Sequence, residues 1–468
     1  MQASYAVICM ASIQDKIFGR MVGVPADVLD KTLETSKNIT RDFIGKKHLG
    51  MAREYWKSLG PGLTTGAADD DPSGITTYSQ AGAAYGFNFL WLAGFTFPFM
   101  AIVQEMCARI GLVTGRGLAA NIRTYFPRRV LYISTALLFV ANTLNIGADL
   151  GAMAKSTQLL FPQVSFTTLI LGFTIFTLAL QIFTTYEKYA RYLKWLALVL
   201  LSYVFSALMV NLNWGKLLHD AVIPNISFSK DQIFLVTAVL GTTISPYLFF
   251  WQTSQEVEEQ ILGGKNTIKL RQVETTVSEV GNMRVDVWSG MFLSNLVMFF
   301  IIAACAATLN VAGITNIESA QQAAEALKPL AGDKAALLFT LGIIGTGLLA
   351  VPILAGSASY ALSESFGWKY GLYRKLKEAN SFYGVIIIAT GIGLLINFLG
   401  LDPIKALIYS AVVNGLIAPV ILTLIVLISS NKKVMGDWVN HSVIAGLGWV
   451  TVIVMAVAGV ATITSLFM

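Results

Sequence analysis

Long apolar runs separated by shorter polar segments make up most of the chain from about residue 59 onward. Each run is about 20 residues long, which is the length of helix that crosses the hydrocarbon core of a bilayer. The pattern therefore predicts an all-α integral membrane protein with 11 transmembrane helices. The predicted spans are 59–79, 88–112, 131–154, 165–184, 193–211, 233–253, 287–308, 335–358, 383–399, 405–428 and 443–465.

Composition and charge agree with this class. Of the 468 residues, 55% are hydrophobic and only 13% are charged, whereas soluble domains average about 25% charged residues. If the N-terminus is cytoplasmic, 27 of the 33 Lys and Arg residues lie in cytoplasmic segments, as the positive-inside rule requires. The net charge of +6 then reflects topology and does not indicate a nucleic-acid partner. We expect a multi-pass protein of the cell (inner or cytoplasmic) membrane, surrounded by lipid.

Two predicted spans carry the same interruption, which suggests an internal repeat. Pro72 and Pro246 lie 174 residues apart, each in the first span of a five-span set. Because five is odd, the second set enters the membrane from the opposite side, which is typical of inverted-repeat transporters. The predicted divisions are a cytoplasmic tail at 1–58, a first repeat at 59–211, a second repeat at 233–428 and an eleventh span at 443–465.

The first interruption is the stretch GAADDDPSG at residues 66–74. Proline removes a helical hydrogen bond and clashes with the preceding turn, so discontinuous helices are predicted in spans 1 and 6. Intramembrane carboxylates cost about 2.5–3.5 kcal/mol each on insertion scales. Three together indicate a cation, although Asp69 and Asp70 are also compatible with a water-filled vestibule that binds nothing.

The helix breaks are assigned to Pro72 and Pro246. Asp286, at the start of span 7, is expected to belong to an ion pair at the membrane edge.

The segments GPGLTTGAADDDPSGITTYSQAGAAYGFNFLW and ARIGLVTGRGLA, with a proline after GTTIS in span 6, resemble the NRAMP family of divalent-metal transporters. The resemblance extends over nearly the whole chain from about residue 57. It implies a leucine-transporter-type fold with a 5+5 inverted repeat and alternating access. It also implies proton-coupled uptake of manganese or iron, with the metal as substrate and no cofactor.

Several positions depart from the family's ligand pattern. The first-helix motif Asp-Pro-Gly-Asn is here Asp71-Pro72-Ser73-Gly74, so the aspartate remains and the asparagine is lost. The sixth-helix motif Met-Pro-His is here Ser245-Pro246-Tyr247, which lacks the soft thioether ligand and the histidine linked to proton movement.

Two more departures concern coupling and closure. The third-helix motif Asp-Leu-Ala-Glu keeps its aspartate as Asp149 but has Ala152 in place of the glutamate. A tenth-helix glutamine that helps to close around the metal aligns with Ala411. The losses favour uncoupled or weakly coupled transport, with protons as optional partners.

With these departures, the resemblance implies that the metal ligands are Asp71, Asp70, Ser245 and Thr242. Further candidates for lining the site or for coupling are Asp69, Gly74, Tyr247 and Asp149.

An all-oxygen ligand set suits hard cations such as magnesium, calcium and manganese. The sequence therefore looks closest in chemistry to NRAMP-related magnesium transporters, which also lack the methionine. The predicted function is secondary-active transport of divalent cations, Mg²⁺ and/or Mn²⁺. The alternatives are a proton-coupled Mn²⁺/Fe²⁺ symporter, or a carrier of an organic cation or amino acid on the same fold. The sequence contains no nucleophile–base pair that would indicate an enzyme, and it leaves the oligomeric state open.

Overall fold

The computed structural model describes residues 60–184, 201–209, 214–224 and 229–467, and these residues form helices without any β-strand. The predicted all-α class is therefore confirmed. The helices are α1 (Pro61–Asp69), α2 (Pro72–Tyr85), α3 (Trp91–Thr114), α4 (Leu118–Tyr125), α5 (Arg128–Leu160), α6 (Phe166–Phe183), α7 (Leu201–Met209), α8 (Trp214–Val222), α9 (Lys230–Thr243), α10 (Pro246–Leu262), α11 (Ile268–Val273), α12 (Val277–Cys305), α13 (Ala320–Glu325), α14 (Lys328–Ala331), α15 (Ala335–Phe366), α16 (Asn380–Ile396), α17 (Pro403–Ser429), α18 (Lys432–Met435) and α19 (Ser442–Ser465).

Within the described part of the chain, 8 helical segments are long and apolar enough to cross a membrane. The helix of the predicted ninth span, Asn380–Ile396, has 17 residues and is shorter, and the first span is divided between α1 and α2. Only 201–209 of the predicted fifth span is described, and the predicted tail at 1–58 lies outside the described residues. The total of eleven spans and the division into repeats stay predictions.

The polar stretch 254–286 is mostly helical. Most of it continues two long helices, because α10 extends to Leu262 and α12 already begins at Val277. Polar side chains near the end of α10, including Gln255 and Glu258, are buried against neighbouring helices. Burial inside a bundle allows a polar sequence to remain helical at the membrane edge, which hydropathy alone does not reveal.

Both predicted helix breaks are present. The first separates α1 from α2 and leaves only Asp70 and Asp71 outside a helix. The second separates α9 from α10 and leaves only Ile244 and Ser245. The first residue of each second half-helix is a proline, whose missing N–H would have no intrahelical partner at that position anyway.

The broken helices lie in the middle of the bundle. α2 packs against α9, α12, α17 and α5, and α1 packs against α12 and α10. α5 packs in turn against α15, α16 and α17. The long helices α5 and α17 both contact α2 and therefore lie beside the first break. Irregular backbone at membrane depth is therefore enclosed by protein, the arrangement in which it is tolerated.

Glycines allow α1 and α12 to approach closely. A Cβ on Gly66 would lie 2.9 Å from Gly290 Cα and closer still to the carbonyl of the same residue. A Cβ on Gly62 would lie 2.6 Å from Val287 N. Small residues at such contacts let backbones meet in membrane helices, and here they hold the first half-helix against α12.

We expect Gly66→Ala to lower the free energy of unfolding by about 1–3 kcal/mol, because the added methyl group overpacks this contact. Gly172→Ala is the matched control, since a Cβ at Gly172 in α6 meets nothing within 4 Å. Thermal unfolding of both purified variants in detergent measures the difference. Equal unfolding temperatures for the two variants would contradict the close contact between α1 and α12.

Candidate functional site

Asp71 occupies the N-cap position of α2. Its Oδ1 accepts hydrogen bonds from Gly74 N at 2.7 Å and from Ser73 Oγ at 2.8 Å. Pro72 follows as the first residue of α2. An N-cap aspartate satisfies N–H groups that have no partner within the helix. Oδ1 therefore stabilises the start of α2 at the break.

The second oxygen of Asp71 faces α5 and α10. Asn145 Nδ2 donates to Asp71 Oδ2 at 2.9 Å, and Ser410 Oγ of α17 donates to Asn145 Oδ1 at 2.7 Å. The Tyr247 hydroxyl lies 3.5 Å from the same Asp71 oxygen and donates to Ala68 O at 2.8 Å. Oδ2 therefore contacts neutral groups from the surrounding helices, and Tyr247 satisfies a carbonyl that the first break leaves free.

The second break lies beside the first. Thr242 Oγ1 is 3.2 Å from Ser73 Oγ, which itself contacts Asp71. Ser245 Oγ lies 2.9 Å from Gly241 O and 2.6 Å from Thr242 O, so its hydroxyl hydrogen points back into the last turn of α9. Thr242 is thus close to Asp71, whereas the Ser245 hydroxyl is engaged by its own helix.

The position of Gly74 is more crowded than the missing asparagine suggests. A Cβ there would lie 3.1 Å from Asp69 O, 3.3 Å from Tyr78 Cε2 and 3.4 Å from Thr242 Oγ1. A larger side chain at this position requires its neighbours to move. The absence of the asparagine therefore goes together with close packing of the two breaks.

Asp69 and Asp70 face α12 instead of α5. Ser294 Oγ donates to Asp69 Oδ2 at 2.8 Å and lies 3.4 Å from Asp70 Oδ1. Asp69 Oδ1 is buried and has no hydrogen-bond partner among the described residues. The hydrogen bonds of this pair thus go to a different helix from those of Asp71, and the assignment of Asp70 as a metal ligand stays a prediction.

Asp149 lies one helical turn beyond Asn145 on α5. It is fully buried, and neither carboxylate oxygen has a hydrogen-bond partner among the described residues. Residues four apart lie on the same helix face, so Asp149 and Asn145 share one. A role in lining the site or in coupling stays a prediction.

The acidic groups at the break are not neutralised by bases in the described part of the chain. Asp69, Asp70, Asp71 and Asp149 are at most 2% exposed, and none of the ion pairs between described residues includes them. A buried carboxylate without a counter-ion is costly, so this region favours a cation or a proton.

The described residues contain no group of three or more His, Cys, Asp or Glu side chains arranged to hold a metal ion. An ion at Asp71 would therefore be held by fewer than three such side chains, together with neutral oxygens and water. Hydroxyl, amide and backbone oxygens of this kind suit Mg²⁺, Ca²⁺ and Mn²⁺.

Four polar residues at the breaks were not singled out from the sequence: Ser73, Asn145, Ser294 and Ser410. For Asn145 a signal existed, because it lies four residues before Asp149 and thus on the same helix face. For Ser294 and Ser410 the sequence offered no signal, since their contacts join residues more than 200 positions apart.

Asp286 holds α1 from the side of α12. It accepts hydrogen bonds from Gly60 N at 3.0 Å, Gly62 N at 2.6 Å and Leu63 N at 3.1 Å. The ion pair expected for Asp286 is not present among the described residues. Its carboxylate instead satisfies the N–H groups at the start of α1, where negative charge is also favoured by the helix dipole.

Comparisons with known proteins agree on one family. The sequence model described as natural resistance-associated macrophage protein-like (Nramp) matches residues 62–465. A protein of Klebsiella pneumoniae named divalent metal cation transporter MntH is 29% identical over 405 residues, which cover 85% of this chain and 91% of that protein.

Solved structures of low sequence identity share the fold. The manganese transporter of Eremococcus coleocola, in complex with an aromatic bis-isothiourea substituted compound, has a TM-score of 0.67 at 17% identity and covers 88% of each chain. The nucleobase-cation-symport-1 family transporter Mhp1, closed with bromovinylhydantoin bound, has a TM-score of 0.52 at 15% identity and covers 87% of this chain and 91% of that one. These similarities confirm the predicted leucine-transporter-type fold.

We expect Asp286→Ala to speed hydrogen exchange in residues 60–69, because the start of α1 loses an acceptor whose bonds are typically worth about 1.5–3 kcal/mol. Asp402→Ala is the matched control, since Asp402 caps its own helix, α17, with bonds to Ile404 N and Lys405 N. Mass spectrometry of the exchanged protein resolves the two regions. Unchanged exchange in residues 60–69 of Asp286→Ala would show that this carboxylate does not hold α1.

Proposed function

The chain belongs to the natural resistance-associated macrophage protein family of membrane transporters, and on this premise we propose that it carries divalent metal cations through the membrane by alternating access. The observation that carries the proposal is Asp71, a buried carboxylate between two interrupted helices that lacks a basic partner among the described residues. The names of the Klebsiella and Eremococcus relatives, which mention divalent metal cations and manganese, support it. The metal is the substrate, and no cofactor is needed.

In the proposed mechanism the cation supplies the positive charge that no basic side chain among the described residues supplies to Asp71. The cation would bind Asp71 Oδ2, while Oδ1 continues to cap α2 through Gly74 N. Thr242, the Ser245 oxygen and carbonyls of the two breaks complete the shell with water, and Asp70 joins if its carboxylate turns from Ser294. Movement of the half-helices α1 and α10 then opens the site alternately to the two sides. The charge bias of the loops supports a cytoplasmic N-terminus in the cell membrane.

The oxygen-only ligand set supports Mg²⁺ and/or Mn²⁺ as the physiological cation. Ser245 offers a hydroxyl where a soft sulfur ligand would favour transition metals. Mg²⁺ loses its water reluctantly and usually keeps several water molecules when bound, so a site with few protein ligands suits a partly hydrated ion. In this respect the chain resembles the NRAMP-related magnesium transporters.

We propose that protons are not obligatory partners. The tyrosine in place of the motif histidine, Tyr247, is buried and donates to the backbone at Ala68 O, which is a structural contact. One observation favours the alternative of proton-coupled Mn²⁺/Fe²⁺ symport, namely that Asp149 is buried with both oxygens unpaired among the described residues.

We expect Asp71→Ala to reduce Mg²⁺ and Mn²⁺ flux into proteoliposomes by at least about tenfold, because the proposed site loses the carboxylate that lies between the two breaks. Asp333→Ala, which removes an exposed carboxylate, is the control and should retain wild-type flux. A fluorescent pH indicator in the same vesicles reports whether protons follow the metal. Equal flux in the two variants would refute the assigned site, and flux of an organic cation alone would favour that alternative substrate.

We expect Ser245→Met to raise the preference for Mn²⁺ and Cd²⁺ over Mg²⁺, because a thioether is a soft ligand. Ser245→Leu is the matched control, since it adds a side chain of similar size without sulfur and also removes the hydroxyl. Competition between the metals in a flux assay gives the preference of each variant. The same preference in both variants would place residue 245 outside the coordination shell.

A further inference from the structure

Asn145 is the side chain through which α5 contacts the carboxylate of the first break. It is fully buried, and its amide makes one hydrogen bond at each end. Nδ2 donates to Asp71 Oδ2 at 2.9 Å, and Oδ1 accepts from Ser410 Oγ at 2.7 Å. The three side chains therefore form a continuous chain from α17 through α5 to the break between α1 and α2.

This arrangement is suited to an Asp71 without a cation. A divalent ion bound to Asp71 Oδ2 would come close to the amide NH₂ group of Asn145, which carries positive partial charge. An amide presents two donors on one side and an acceptor oxygen of similar shape on the other. A half-turn of the terminal amide exchanges these ends and directs Oδ1 toward the ion.

The surroundings offer the amide nitrogen a new hydrogen-bond partner after this half-turn. A hydroxyl both donates and accepts, and Ser410 Oγ is also 2.8 Å from Leu407 O. After the turn, Ser410 donates to Leu407 O and accepts from Asn145 Nδ2. Asp71 Oδ2 exchanges the amide donor for the cation. Every polar side-chain atom in the series Ser410, Asn145 and Asp71 therefore keeps a partner.

We propose that Asn145 is a ligand of the transported cation, supplied by α5, and that its amide turns to present Oδ1 when the ion occupies Asp71. The inference rests on the proposed function and adds one residue to its site. Amide oxygens are ordinary ligands of hard divalent cations, and this one is already within hydrogen-bond distance of the carboxylate. Since Ser410 is linked to the same amide, binding of the cation also changes the contact between α5 and α17.

Two substitutions separate an oxygen ligand from a hydrogen-bond donor. Asn145→Ala removes both functions, whereas Asn145→Asp keeps an oxygen and removes the donor. We expect Asn145→Ala to weaken Mg²⁺ and Mn²⁺ binding by about 10–100-fold, the range found when residues that support a metal site are lost. We expect Asn145→Asp to bind both ions at least as tightly as the wild type, because a carboxylate oxygen replaces the amide oxygen.

The control is Asn142→Ala, on the same helix. Asn142 is also fully buried, but its Nδ2 donates to Leu354 O at 2.9 Å and does not contact Asp71. Isothermal titration of the purified full-length protein with MgCl₂ and MnCl₂ gives the affinities, and thermal unfolding without metal shows whether each variant is folded. We expect Asn142→Ala to keep wild-type affinity even if it unfolds at a lower temperature.

Several outcomes would overturn the proposal. Wild-type affinity in Asn145→Ala would exclude a ligand role. Binding by Asn145→Asp that is as weak as that of Asn145→Ala would show that the donor end matters and that Asn145 only positions Asp71. If the wild type itself binds neither ion, the proposed function fails, and this result is distinct from a failure confined to residue 145.

Discussion

The structure depends on the need to satisfy backbone groups where two helices stop in the middle of an apolar bundle. In lipid each unpaired N–H or carbonyl costs several kcal/mol, and each break exposes both kinds of group. At the first break Asp71 accepts from Gly74 N, and the Tyr247 hydroxyl donates to Ala68 O. The groups that make the interruption possible are thus the same groups that surround the candidate cation site.

The two oxygens of Asp71 have different roles, one in the break and one in the candidate cation site. Oδ1 is held by Gly74 N and Ser73 Oγ, both close in sequence, so it belongs to the local structure of α2. Oδ2 is held by Asn145, which comes from another helix. A cation can therefore exchange partners at Oδ2 without removing the cap of α2. In the proposed function, the first break would bind and release an ion while its backbone remains satisfied.

The sequence was sufficient for features that depend on local chemistry. The apolar runs predicted a helical membrane protein, the prolines at 72 and 246 predicted both breaks, and the motifs around them identified the family, all of which are confirmed. The sequence could not predict contacts between helices that are distant along the chain. The bond between Ser410 and Asn145 joins positions 265 apart, and no periodicity in either segment records it. The same limit applies to Asp286, whose partners are backbone N–H groups and hence carry no side-chain signal.

The second break differs from the first in a way that bears on selectivity. It has no carboxylate, and its hydroxyl at Ser245 points to Gly241 O and Thr242 O. A cation that uses both carbonyls fully would require the hydroxyl hydrogen to turn away, whereas the lone pairs of the Ser245 oxygen would be free to bind the ion in either orientation. A small hydrated ion that needs few protein ligands can bind without this rearrangement, whereas an ion that must lose its water requires it. In the proposed mechanism, the side chain at position 245 would therefore influence how much hydration the bound cation retains.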